Sequence, residues 1–212
     1  SELPSAFSNG PYKLLSDFTR STRMTPGMFA SNVTLDLNGH TLTSTATDYG
    51  LLLSRTGTAD LHRVFSIVDT SAAKGGVLVA TSAITGVQAQ GDYSDITIGE
   101  GVTVKGCVAV LAENQTLTVN GTIEGGGDYA IATNGSATKD ATITVNEGAS
   151  VTSNVIAMYL PGTGTTNIAG GTVSGSTAIY QKSGTLNVSG GTISATGEAA
   201  DYSYDGSGAN IT

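Results

Sequence analysis

Apolar and polar residues alternate along most of this chain in short runs, and the runs repeat as a three-part phrase. An alternating apolar run leads into a Gly-Gly or Asn-Gly turn, a second short apolar run follows, and a third run closes the unit. Clear copies of the first two parts are Leu117-Thr118-Val119-Asn120-Gly121-Thr122-Ile123, Asn167-Ile168-Ala169-Gly170-Gly171-Thr172-Val173 and Leu186-Asn187-Val188-Ser189-Gly190-Gly191-Thr192-Ile193. The third parts are Tyr129-Ala130-Ile131-Ala132, Ile156-Ala157-Met158-Tyr159 and Thr177-Ala178-Ile179-Tyr180. A period of two residues marks strands with one buried face. Three such strands in roughly twenty residues describe one turn of a coil that stacks on itself.

Two columns fix the register. The residue that ends the second run is Leu42, Val104, Ile123, Val151, Val173 and Ile193. The small residue in the third run is taken as Gly50, Gly86, Ala109, Ala130, Ala157 and Ala178, separated by 36, 23, 21, 27 and 21 residues. The long first gap holds a coil of its own, Phe65-Ser66-Ile67-Val68 and Gly75-Gly76-Val77-Leu78-Val79, whose third run is missing or irregular. The pattern therefore predicts an all-β, single-stranded, right-handed parallel β-helix of about seven coils, three short strands in each. At roughly 4.8 Å per coil the rod is on the order of 30–35 Å long. One domain covers residues 1–212: a partial coil or cap over 1–30, stacked coils over 31–199, and the start of a further coil, or a frayed end, over 200–212. A helical period is compatible only with a short stretch near Tyr12 to Arg20.

Composition agrees. Charged residues are 12% and aromatics 6% of the 212 residues, with 29 glycines and no tryptophan. Ordinary globular chains carry about twice that share of charge. β-branched residues suit a pleated surface, and Gly supplies positive φ at corners. The net charge of −8 is unevenly placed, because residues 1–74 balance six basic against six acidic side chains while 75–212 set three against eleven. An acidic rod without a basic stripe excludes nucleic acid as a partner and favours neutral over polyanionic glycans.

The lone Cys107 excludes an internal disulfide and reads as a small, buried or half-buried residue. No apolar stretch is long enough to enter a membrane as a spanning helix. The chain begins at Ser1 without an initiator Met or a visible signal peptide, which reads as a mature or excised fragment. Gly208-Ala209-Asn210-Ile211-Thr212 reads as the opening of another strand, so the rod is expected to continue within a larger protein. Six Asn-x-Ser/Thr sequons, at Asn32, Asn114, Asn120, Asn134, Asn187 and Asn210, are read as products of composition.

The segment Asn32-Val33-Thr34-Leu35-Asp36-Leu37-Asn38-Gly39-His40-Thr41-Leu42 resembles the opening coil of bacterial right-handed parallel β-helix domains of the pectate-lyase-like superfamily. In particular it is similar to the adhesive modules of large surface proteins, with the Asn-Gly-Thr-Ile and Gly-Gly-Thr-Ile turns at 120–123 and 190–193 fitting the same pattern. The likeness extends over roughly residues 12–199. It implies an extracellular place on a bacterial cell surface or cell wall. It says more about fold than function, because one such scaffold carries lyases, hydrolases, tail spikes and passive stalks.

Lyases of that superfamily combine calcium-holding carboxylates with a Lys or Arg base, and glycosidases need two carboxylates about 5–9.5 Å apart. No aligned column carries two acids in neighbouring coils. Asp48 and Asp128 are equivalent but three coils apart, and Lys105 and Glu124 form a surface pair on adjacent coils. The catalytic candidates, were the chain an enzyme, are Asp60, His62, Arg63 and Asp69 in the irregular coil; Asp69 is equally suited to capping a turn, and His40 to a structural corner. No metal pattern and no cofactor are implied: Gly125-Gly126-Gly127-Asp128 matches one fragment of a calcium-binding nonapeptide, but only once.

Sugar binding needs less machinery. With Ile131, Met158 and Ile179 inward, Tyr159 and Tyr180 face outward on adjacent coils with Gln181 and Lys182 at the rim, an aromatic platform for a glycan or, read structurally, a stabilising ladder. A second cluster comprises Tyr202 and Tyr204 beside Asp201 and Asp205. The expectation is thus a non-catalytic, adhesin-like module or stalk with a glycan or other host or microbial surface ligand. The alternatives are a polysaccharide lyase or glycoside hydrolase, and a trimeric fibre or tail-spike segment.

Overall fold

In a parallel coil no rung buries its own apolar face, so the strands form only where one rung covers the next. The computed structural model, which describes residues 3–28, 30–81, 85–197 and 210–211, has this architecture except at its ends, where Ala6–Phe7 pairs with Thr25–Pro26 in a separate two-stranded sheet and Asn210–Ile211 pairs antiparallel with Thr177–Gln181. Three sheets run the length of a β-solenoid of eight rungs, and each full rung contributes one strand to each sheet in turn. The fifth rung, for example, is Thr116–Val119 in the first sheet, Thr122–Glu124 in the second and Tyr129–Thr133 in the third. The Tyr202 and Tyr204 cluster lies outside the described residues. Among the described residues no helix is long and apolar enough to cross a membrane.

The core is built of inward columns. Val33, Phe65, Ile96, Leu117 and Ile143 are in register down the first sheet. Phe18, Leu42, Leu78, Val104, Ile123, Val151, Val173 and Ile193 form the second. Leu51, Val87, Val108, Ile131, Met158 and Ile179 form the third. Nearly all of these side chains are fully buried. Outward positions of the first two sheets are dominated by Thr, Ser and Asn. Like residues also ladder: at a corner the Asn146 Nδ2 donates to Asn120 Oδ1 at 2.7 Å, and within the first sheet that of Asn187 donates to Asn167 Oδ1 at 2.9 Å.

Three sequence expectations change. The Tyr12–Arg20 stretch is not helical: Gly10–Lys13 pairs with the strand at Asn32–Asp36, and Phe18–Arg20 with Thr41–Ser44. Pairing to the next rung there satisfies backbone groups that a short isolated helix leaves open. This added rung raises the count from about seven to eight. The coil between residues 51 and 85 is not missing its third run, which is Thr85–Ala89, paired with Tyr49–Leu53 on one side and Val108–Val110 on the other. The long gap comes from insertions at both of that coil's longer corners, 54–62 and 69–75. Finally, Ala109 pairs with Ala132, not Ala130. The register places Cys107 in the small-residue column, because Val108 and not Val110 faces Ile131.

The turns explain the Gly-Gly phrase. Gly171 has φ +71°, and a Cβ there would come within 2.3 Å of the Ala149 carbonyl oxygen of the preceding rung. We expect Gly171→Ala to cost at least about 1–2 kcal/mol from backbone conformation alone, and Ile131→Ala about 3 kcal/mol from the cavity left in the core. Urea denaturation measures both; losses within about 0.5 kcal/mol, as at ordinary surface sites, would contradict this packing.

Candidate functional site

The outer face of the third sheet departs from the hydroxyl-rich pattern of the other two. Its central column on the side away from the core is Leu52, Gln88, Ala109, Ala132, Tyr159 and Tyr180, in register over six rungs; Leu52, Gln88 and Ala109 are buried, and Ala132, Tyr159 and Tyr180 are partly exposed. Tyr159 and Tyr180 stand on successive rungs, their rings stacked 5.6 Å apart at 24°. Tyr129, earlier in its strand, supplies a third ring where Ala132 leaves room, 4.8 Å from Tyr159 and inclined 14° to it. The alignment missed Tyr129 because it lies three residues before Ala132, out of column. The signal available was size, a small residue flanked by two tyrosines.

The stack corrects the picture of a flat platform. Rings stacked along the rod axis turn their faces toward each other and their edges to solvent, so Tyr159 has tyrosine on both faces. Lys182 places its ammonium 5.6 Å from the Tyr180 centroid, a cation over an aromatic ring. Gln181 is not at the rim. Alternation along the strand turns it inward, in register with Leu160. It is 6% exposed, and its Oε1 is buried without a hydrogen-bond partner among the described residues.

Beside Tyr129, on the side away from Tyr159, a groove of about 340 Å³ lies over the third to fifth rungs, with Ala80, Thr81 and Thr85 forming its third-rung side. Its lining is mostly apolar and includes Cys107, Ala109, Leu111, Tyr129 and Ala132, with Gly126 and Gly127 beside the exposed Asp128 at one edge. Burial, then Tyr159, Asp128 and Cys107, hold the Tyr129 phenol above its ordinary range, against the opposing pull of Lys182. Burial pushes the half-buried Cys107 thiol up to about 12, so it stays protonated and unreactive at neutral pH. Two other depressions, about 280 Å³ around Leu3 and Tyr12 and about 480 Å³ around Glu124 and Thr152, have no comparable stacked aromatic wall.

The irregular coil does not assemble a catalytic cluster. His62 Nδ1 lies 2.9 Å from Asp95 Oδ2, and the ring packs edge-on against Tyr93. Arg63 donates from its NH1 nitrogen to the Ala30 carbonyl at 3.0 Å and from Nε to that of Thr56. Asp60 is exposed. Asp69 is at the far end of the Arg63–Val68 strand, on the order of 20 Å away at about 3.3 Å per residue. At the same corner as His62, the backbone N–H of Glu113 donates to Asp92 Oδ1 at 3.0 Å, which brings two acidic residues together on successive rungs where the alignment found none. Lys139 neutralises Glu113 at 2.7 Å. Lys105 and Glu124 pair at 3.3 Å, as aligned, and His40 lies 3.3 Å from Asp17 at a corner. Among the described residues no group of three His, Cys, Asp or Glu side chains is placed to hold a metal ion.

Asp69 caps a turn. Its Oδ1 accepts from the N–H groups of Gly39 and Ser71, and its Oδ2 from that of Gly76. Asp36, on the preceding rung, accepts from the N–H groups of Asn38 and Thr70, from the Thr70 hydroxyl, and pairs with Lys13 at 3.4 Å. The two carboxylates thus tie rungs two and three together at one corner. Burial alone would raise both pKa values. For Asp36 the Thr70, Asn38 and Lys13 hydrogen bonds, and for Asp69 those from Ser71, Gly76 and Gly75, outweigh it and hold each below the usual range.

The fold and this face define a parallel β-solenoid with an aromatic stack and an adjoining apolar groove on one side. The chain matches no protein-family model, no curated protein and no solved structure.

Because Asp36 and Asp69 are depressed in the folded state, their stabilisation is complete above the ordinary aspartate value of 3.8 and drains away as pH falls below it. Asp36→Asn or Asp69→Asn should each cost about 2 kcal/mol at pH 7 and flatten the fall in stability from pH 5 to pH 2. Denaturation across that range checks this; a pH profile parallel to that of the unmodified chain would refute it.

Proposed function

We propose that this chain is a non-catalytic, extracellular β-helix module of a bacterial cell-surface protein, adhesin-like, which binds glycans or serves as a stalk. The observation that carries the binding half is the tyrosine stack and its groove on the third sheet. Aromatic faces accept the C–H faces of pyranose rings, and a few polar groups at an apolar pocket orient hydroxyls. A rigid stack of rungs presents such a site with little ordering cost on binding. The likeness of residues 32–42 to the opening coil of surface adhesive modules supports the extracellular setting.

A lyase or hydrolase is the weaker reading. The side chains with catalytic potential are dispersed, and the carboxylates of Asp36, Asp69 and Glu113 are already engaged in capping or ion pairing. Among the described residues, the His62–Asp95 pair at 2.9 Å is the arrangement that favours that reading. Release of reducing sugar or unsaturated uronide, abolished by His62→Ala, would replace the present proposal.

On a glycan array, the purified chain should be retained by a subset of glycans, and replacing Tyr129, Tyr159 and Tyr180 together by Ala should reduce retention at least about tenfold, as expected for aromatic anchors. No retention of the intact chain by any glycan would leave the stalk role alone.

A further inference from the structure

We propose that the groove beside Tyr129 is a binding site for a single non-anionic hexopyranose, such as the end or a branch of a glycan chain, stacked on the face of Tyr129 that Tyr159 leaves uncovered. This rests on the glycan-binding reading above and specifies where, and how much of, a glycan is held.

The stack itself points to one end. Tyr159 lies between Tyr129 and Tyr180, so neither of its faces is open to a ligand. Tyr129 has one face on Tyr159, of the sixth rung. Its other face looks toward the fourth rung, where the outward column narrows to Ala109. The groove lies there, and Tyr129 is part of its wall. Ala109 and Ala132 are what make it a recess, because larger side chains at those two outward positions would fill it as Tyr159 and Tyr180 fill the next two rungs.

Size and charge narrow the ligand. About 340 Å³ is at the low end of small-molecule sites, which suits one ring and not an extended chain. Beyond it Tyr159 is enclosed between two tyrosines, and the Lys182 ammonium lies over the Tyr180 ring. Asp128 is exposed at the groove's edge, and residues 75–197 set eight acidic against three basic side chains, of which Lys182 is near enough to act on the Tyr129 phenol. A carboxylate there accepts hydrogen bonds from sugar hydroxyls or from an ammonium group, and it repels uronate and sialate carboxylates. The protonated Cys107 adds no charge to the groove.

The test is ligand-observed NMR on the intact chain with methyl β-glucopyranoside, glucosamine and glucuronate. The first two should bind, and glucuronate should bind at least about threefold more weakly at low salt, with the difference shrinking in high salt. Tyr129→Ala, which removes the stacking wall, and Ala109→Leu, which fills the recess, should each weaken methyl glucoside binding at least tenfold. Thr118→Ala, on the outer face of the first sheet, should leave it unchanged. Thermal melts confirm that each variant is folded, and because the two groove variants alter opposite walls, a folding defect in one leaves the other to decide. If glucuronate binds best, or if Tyr129→Ala and Ala109→Leu bind normally, the groove proposal is overturned while glycan binding elsewhere on the stack survives. If none of the three sugars binds although the array shows retention of longer glycans, single-ring recognition is wrong. If the array also shows none, the failure belongs to the glycan reading.

Discussion

Everything in this molecule depends on in-register parallel pairing between rungs. Within the three long sheets each rung's strand hydrogen-bonds in parallel to the strand one rung away, so its side chains sit directly above equivalent ones. The inward columns become a continuous core because the covering rung supplies the apolar surface that an isolated coil lacks. The same pairing makes the outer faces regular. It stacks threonines and asparagines into ladders on two sheets and, on the third, brings tyrosines from successive rungs into one stack. A slip of one residue would turn every inward side chain out. The register is therefore both the source of stability and the device that builds the candidate site.

Corners are where the repeat departs from itself, and they divide into two kinds. Short Gly-containing turns preserve the column from rung to rung, as at Gly171. Longer insertions are held by charged side chains that bond backbone rather than face a substrate. Asp69 and Asp36 do this at one corner of rungs two and three, and Arg63 and Asp92 at another, where His62 and Asp95 pair side chain to side chain. Charge density in this chain thus follows the cost of ordering irregular backbone, which buried polar groups must satisfy. In the densest run of charges in the sequence, Arg63 and Asp69 bond backbone groups, Asp60 is exposed, and His62 pairs with Asp95.

Much of the fold was legible in the sequence because its signal, period-two alternation with turn residues at fixed offsets, is the packing itself. The Leu42 to Ile193 column needed only Phe18 and Leu78 added to be complete. Tyr159 over Tyr180 followed from the same alternation. What failed were judgements that needed spacing within a rung. Cys107 and Ala109 are two residues apart and both small, so composition did not say which belonged to the column. Gln181 follows Tyr180 directly and was placed beside it, although alternation turns it into the core. Tyr129 was missed because a ring three residues out of column reaches the stack only through the space above Ala132, a three-dimensional fact. The groove depends on that same ring, so it was invisible for the same reason.

The central claim is that the register creates one tyrosine stack in the order 129–159–180, with the groove-facing ring as its accessible end. The direct measurement is the pattern of nuclear Overhauser contacts among tyrosine ring protons, and from these rings to bound methyl β-glucopyranoside, in a sample with specifically labelled tyrosines. The account predicts contacts from Tyr129 to Tyr159 and from Tyr159 to Tyr180, with sugar contacts to Tyr129. A direct contact between Tyr129 and Tyr180, or sugar contacts to Tyr180 without Tyr129, would contradict it.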